Sequence, residues 1–223
     1  MSPVTTDTAV IVDFRLPPLI NAVQGGNFET NEDFARWAYR TGKTPPILDL
    51  TNAHSGRQSV LFGANPSGNP ENSTLGQVIH VPAVAHPMLS FVYRIETDET
   101  VPNATQDRPA VGLLVLDGTA VQLLSHPGVY QGLPNDWLEV LVFTGANWTT
   151  RHELSIHELW QPADWAYRSF DLSAYAGQDV LLVFNLYQSS ADHPTRAWLD
   201  EVVLGPAERF IPANWLYLPF LRK

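Results

Sequence analysis

The sequence predicts an all-β sandwich of antiparallel strands, and three observations carry that prediction. Short apolar runs with a period of two recur along the chain, as at Leu89, Phe91, Tyr93 and Ile95. Eighteen prolines and fourteen glycines fall between those runs and favour many turns over long helices. The chain is 223 residues long, 44% hydrophobic and 16% charged, enough to bury one large sandwich core or two small ones. One core is the preferred reading, because sandwiches often reach this length.

Composition excludes several classes. A net charge of −10 disfavours nucleic acid and acidic membrane surfaces as partners. It is compatible with calcium or a neutral glycan. There is no cysteine, so no disulfide holds the fold and redox chemistry does not report a compartment. No stretch approaches the roughly 20 apolar residues of a membrane span. An exported protein would have lost its leader before this numbering begins.

Residues 8–16 alternate, with Val10, Val12, Phe14 and Leu16 on one face, until Pro17 and Pro18 stop the strand. It reads either as an edge strand of the chain's own sheet or as a donor strand completing a second copy. In residues 25–42, Phe34 and Trp37 sit at a helical-turn spacing after Gly25-Gly-Asn-Phe-Glu29. His54-Ser-Gly56 makes a turn, and Arg57 to Gly63 reads as a strand with Val60 and Phe62 together. Asp117-Gly118 between two apolar runs predicts a hairpin, part of an insertion over 97–136 at a rim. Leu138 to Phe143 is a buried-type strand, followed by a turn at Asn147-Trp-Thr. Sequons at Asn72, Asn103 and Asn147 are all expected in loops.

The stretch Trp165 to Leu204 reads as two strands delivered antiparallel by the compact turn at Ala174 to Gly177, then a polar loop and a closing strand. In the first long run Leu182, Phe184 and Leu186 share one face and Val183, Asn185 and Tyr187 the other. In the closing strand Trp198, Asp200, Val202 and Leu204 are expected to share a face. Asp200, midway along an apolar strand, needs a partner.

Taken in order, GGNFE, a tryptophan about eight residues on, HSGRQSVLFG, VIHVPAVAHPMLSFVYRIET, FDLSAYAGQDVLLVF and WLDEVVL resemble a secreted jelly-roll family. Xylan- and cellulose-binding modules, MAM-type domains and accessory domains of immune inhibitor A-like metallopeptidases belong to it. The resemblance implies a two-sheet antiparallel jelly roll over 25–205, with an N-terminal extension (1–24) carrying a strand and an apolar C-terminal tail (206–223). It also implies an extracellular or cell-surface location and a structural Ca²⁺ held by Glu29 and Asp200, with Asn27 and the Ser55 turn contributing. Asp200-Glu201 stands where Asp-Asp is usual. The alternative is that Glu29 and Asp200 are solvated or paired with Arg36 or Arg57.

No assembled catalytic constellation is visible. HELSIHE puts His152 and His157 five apart rather than the four of a zinc-protease motif, although paired carboxylates from distant strands leave no signature. The chain therefore reads as a non-catalytic binding module for a polysaccharide or glycoprotein glycan. Tyr187 with Asn185, and Trp137 and Trp148, are the candidate contacts; Trp160, Trp165 and Tyr130 have similar placement. Each aromatic has core packing as its competing role. The rival function is a structural subunit of a homo-oligomer or filament. It rests on the 8–16 strand and on the tail, rich in Phe, Trp and Leu after Glu208.

Overall fold

A computed structural model describes residues 21–64, 71–97, 111–117, 120–126, 136–154, 164–188 and 194–207, with backbone only at 111–117 and 120–126. Its elements are helix α1 (Asn31–Ala35) and strands β1 (Tyr39–Gly42), β2 (Ile47–Asp49), β3 (Ser59–Phe62), β4 (Glu71–His80), β5 (Pro87–Thr97), β6 (Val111–Asp117), β7 (Ala120–His126), β8 (Trp137–Thr144), β9 (Thr150–Glu153), β10 (Ala166–Asp171), β11 (Asp179–Gln188) and β12 (Thr195–Pro206). One five-stranded antiparallel sheet has the order β1-β4-β11-β8-β9, the other β10-β5-β12-β3-β2. The expected two-sheet sandwich is the observed architecture. The hairpin expected at Asp117-Gly118 is also present, with Asp117 opposite Ala120 in a separate two-stranded sheet.

The core lies between the five-stranded sheets. Leu89, Phe91, Tyr93 and Ile95 face it from β5, as their alternation predicts, and Leu182, Phe184 and Leu186 face it from β11. Phe184 is the hinge of the aromatic packing, edge-on to Phe91 at 5.0 Å and tilted against Trp37 at 5.9 Å. Trp37 is delivered by α1, which a capping box starts: Asp33 N–H donates to Thr30 Oγ1 and Thr30 N–H to Asp33 Oδ2, both at 3.0 Å.

Three expectations are corrected. First, β10 and β11 are not a hairpin pair; they belong to opposite sheets. β10 half-buries residues on one face only and pairs with β5, whereas β11 is apolar enough on both faces to sit at the centre of the other sheet. The turn between them is stitched across the sandwich, Leu172 N–H donating to the Pro87 carbonyl (2.8 Å) and Gly177 N–H to that of Val81 (2.9 Å). Gly177 meets this geometry with φ +74°.

Second, Trp198, Asp200, Val202 and Leu204 do not share a face. A β-bulge breaks the register between Asp200 and Val203, with Glu201 in the left-handed region at φ +52°. Ala197 and Leu199 face the core before the bulge, Val202 and Leu204 after it. An inserted residue reverses a period-two pattern.

Third, the Asn72 sequon is not in a loop. Asn72 lies in β4, 6% exposed, and accepts a hydrogen bond from Asn185 Nδ2 at 2.8 Å. Asn147 is exposed in the turn after β8, and Asn103 lies outside the described residues.

Asn21 to Gln24, at the end of the expected extension, pack with the sandwich. Ala22 N–H donates to Leu204 O and Leu204 N–H to Asn21 Oδ1, while Gln24 exchanges two bonds with the Gln77 amide. The strand positions Val10, Val12, Phe14 and Leu16, the tail after Ala207, His157, Trp160 and Tyr130 all lie outside the described residues.

Candidate functional site

The residues expected to contact a ligand converge on the outer face of the first sheet. Cross-strand register places Thr41, Thr74, Asn185 and Glu139 in one row and Asn72, Tyr187 and Trp137 in the next. Asn185 is the hub of the first row. Its Oδ1 accepts from Thr74 Oγ1 (2.7 Å), and its Nδ2 donates to Asn72 Oδ1 and Glu139 Oε1 (both 2.8 Å). Arg151 Nη2 on β9 completes the network on Glu139 Oε2 at 2.9 Å. Trp137 and Tyr187 stack on each other with centroids 4.2 Å apart. Burial, with the charge of Asp136 added, pushes the Tyr187 phenol up.

This face is closed over the polar rows: Asn72, Trp137, Glu139, Asn185 and Tyr187 are each at most 6% exposed. Tyr187 and Asn185 are therefore interior groups, and the pair does not form an open platform. Beyond them the face turns apolar. Leu141, Phe143, Leu181 and Val183 form a cluster over which Tyr39 and Trp148 pack, half-buried. Gly76 makes room for Tyr39, since a Cβ there would come within 3.2 Å of the tyrosine and of Val183 Cγ2. Val78, at the same end, is 44% exposed.

Trp148 is held in an unfavourable backbone conformation. It and Asn147 have φ of +59° and +60° at the tip of the β8–β9 hairpin. The loop runs from Gly145 to Thr149 between the paired Thr144 and Thr150, and asparagine tolerates the left-handed conformation. Tryptophan does not, at a cost of about 1–3 kcal/mol. Tyr39, Gly76 and Arg151 were not identifiable from sequence, because only register brings β1 and β9 to the margins of this face.

The expected calcium ligands gather at the bulge. Asp200 is fully buried; its Oδ2 accepts from the amides of His54 (3.0 Å) and Ser55 (3.2 Å), and its Oδ1 from that of Glu201 (2.8 Å). Burial raises its pKa against the pull of those donors. Both oxygens of Glu29 accept from the Arg57 amide, at 3.1 and 3.0 Å, and a Cβ at Gly56 would stand 2.0 Å from Glu29 Oε1. Asn27 is exposed, and Ser55 contributes its amide.

One turn thus grips both carboxylates, between two strained positions, Phe28 at φ +54° and Glu201 at φ +52°. Among the described residues neither Glu29 nor Asp200 makes an ion pair, and no group of three or more His, Cys, Asp or Glu side chains is placed to hold a metal. The two carboxylates are hard oxygen donors of the kind calcium takes, but the contacts that the turn makes to them are all amide N–H groups. An ion here would need carbonyl oxygens to supply most of its shell.

Several solved structures of similar architecture are carbohydrate-binding modules, and others are a glycoside hydrolase domain and an enzymatically active phage tailspike domain. A family 61 module in complex with β-1,4-galactotriose is 13% identical, with 83% of this chain and 98% of that one covered and a TM-score of 0.46. A family 16 module is 16% identical, covering 83% and 100%, at 0.43. The family 30 module of a cellulosomal cellulase of Clostridium thermocellum is 10% identical, covering 73% and 83%, at 0.41. No family model and no curated protein sequence matches the chain.

Proposed function

We propose that the chain is a non-catalytic module that binds a glycan beside Trp148, at the rim of the first sheet's outer face. The observation that carries this reading is Trp148: half-buried on an apolar floor that it shares with Tyr39, and held in a left-handed backbone conformation that a tryptophan adopts only at a cost. Sugar rings present apolar faces that stack on such rings, and Asn147, Thr149 and Thr150 are exposed nearby to meet hydroxyls.

Affinity electrophoresis through gels containing xylan, β-glucan or β-galactan tests it. Retardation by at least one of these is expected, and Trp148→Ala should weaken it about tenfold or more. Unretarded wild-type protein across the set would overturn the reading. Tyr187→Ala should instead act on stability, because that ring is stacked beneath Trp137 and closed from solvent.

A structural calcium belongs to the same proposal. Glu29 and Asp200 would hold it, with carbonyls of the 54–57 turn, and the ion would offset the cost of a buried carboxylate that has only amide partners. Adding millimolar calcium to chelator-treated protein should raise Tm, since an ion that binds only the native state stabilises by mass action. Asp200→Asn should abolish that rise. A Tm indifferent to calcium and chelator would remove the ion from the account.

A further inference from the structure

Four large apolar side chains are markedly exposed among the described residues, and one of them, Tyr167 at 40%, stands on the outer face of the second sheet. Its strand, β10, is the edge of that sheet. Tyr167 lies opposite Val92, and Val92 opposite Asp200, so the tyrosine borders the bulge. Trp165, two residues earlier and half-buried, meets the His54 ring edge-on at 5.6 Å. His54 Nδ1 in turn lies 3.1 Å from Glu201 Oε2, and both of those side chains are 39% exposed. Tyr167, Trp165, His54 and Glu201 therefore form one accessible strip on the face of the sandwich opposite Trp148.

We infer that this strip is a second saccharide platform, on which Trp165 and Tyr167 stack sugar rings and the His54–Glu201 pair hydrogen-bonds their hydroxyls. It rests on the reading of the chain as a glycan-binding module. Trp165 immediately precedes β10, and residues two apart along extended chain rise about 6.5–7 Å, so the two rings address neighbouring units of an oligosaccharide rather than one. The ligand is a neutral pyranose chain. The net charge of −10 repels an acidic polymer, and the carboxylate of Glu201 stands in the strip itself. Ring faces bordered by one donor–acceptor pair are what a polyhydroxylated, uncharged ligand requires.

The test is isothermal titration of the full chain, in calcium-containing buffer, with xylohexaose, cellohexaose and a β-1,4-galacto-oligosaccharide. Four proteins are compared: wild type, Trp148→Ala, Tyr167→Ala, and Trp165→Ala/Tyr167→Ala. Tyr167→Ala is a surface change and should leave Tm within a few degrees, which keeps the test valid if the double variant is unstable. The inference expects two sites per chain in wild type, so that Trp148→Ala leaves the site on β10, Tyr167→Ala leaves the site at Trp148, and the stoichiometry falls from about two to about one in either variant. Binding lost in Trp148→Ala and unchanged in both β10 variants overturns the second platform while supporting the first face. Binding lost only in the β10 variants supports the second platform and overturns the first. No binding by wild type overturns both.

Discussion

Trp37→Ala should lower the free energy of unfolding by about 3–5 kcal/mol, the range for a large aromatic removed from a closed core. Trp37 is fully buried, lies 5.5 Å from Phe28 and 5.9 Å from Phe184, and donates its indole N–H to the Gly25 carbonyl at 3.2 Å. It thereby ties the Gly25–Glu29 segment, α1 and the central strand of the first sheet to one another. Truncation leaves a cavity among aromatic rings that cannot collapse without moving Phe184 off Phe91. Trp37→Phe keeps most of the packing and loses the hydrogen bond, so it should cost about 1–2 kcal/mol. Urea denaturation measures both. A loss below about 1 kcal/mol for the alanine variant would show that the Gly25–Glu29 segment packs independently of the tryptophan.

The sequence makes one side of this core legible and hides the other. Period-two alternation identifies the inward residues of β5 and β11 because a strand fixes facing locally. The need of Asp200 for a partner is legible too, since a carboxylate in an apolar strand is costly wherever it lies. Its partners are legible only through the resemblance, which brings the Ser55 turn to it. They are amides of a turn some 146 and 145 residues away, and backbone donors leave no trace in residue identity.

The bulge escapes for a related reason. Its left-handed position is Glu201, where a glycine would have announced it, so the pattern of β12 reads straight through a break. The outer face of β11 misleads most. Asn185 and Tyr187, on the face opposite Phe184, read as ligand contacts, but the groups that satisfy Asn185 come from β4 and β8, 111 and 46 residues distant. Burial is a property of the assembled sheet, and alternation reports only which residues travel together.

That buried hub yields the second large effect. Asn185→Leu should cost about 2–4 kcal/mol, because three closed groups, Thr74 Oγ1, Asn72 Oδ1 and Glu139 Oε1, each lose their bond to the amide. Asn185→Asp is nearly isosteric and should be worse at neutral pH. It replaces the donor that faces Glu139 Oε1 with a second carboxylate, and two like charges in a closed site cannot both ionise freely. The introduced pair therefore titrates, in the folded state, above the ordinary carboxylate range. Stability is then fully present below the unfolded value and lost as pH rises through the raised folded value. Urea midpoints of Asn185→Asp should accordingly approach those of wild type near pH 4 and fall away by about pH 8, while Asn185→Leu shows a deficit that changes little between the two. Parallel pH profiles for the two variants would mean that Glu139 is not in the charged, amide-bound state that its bonds to Asn185 and Arg151 describe.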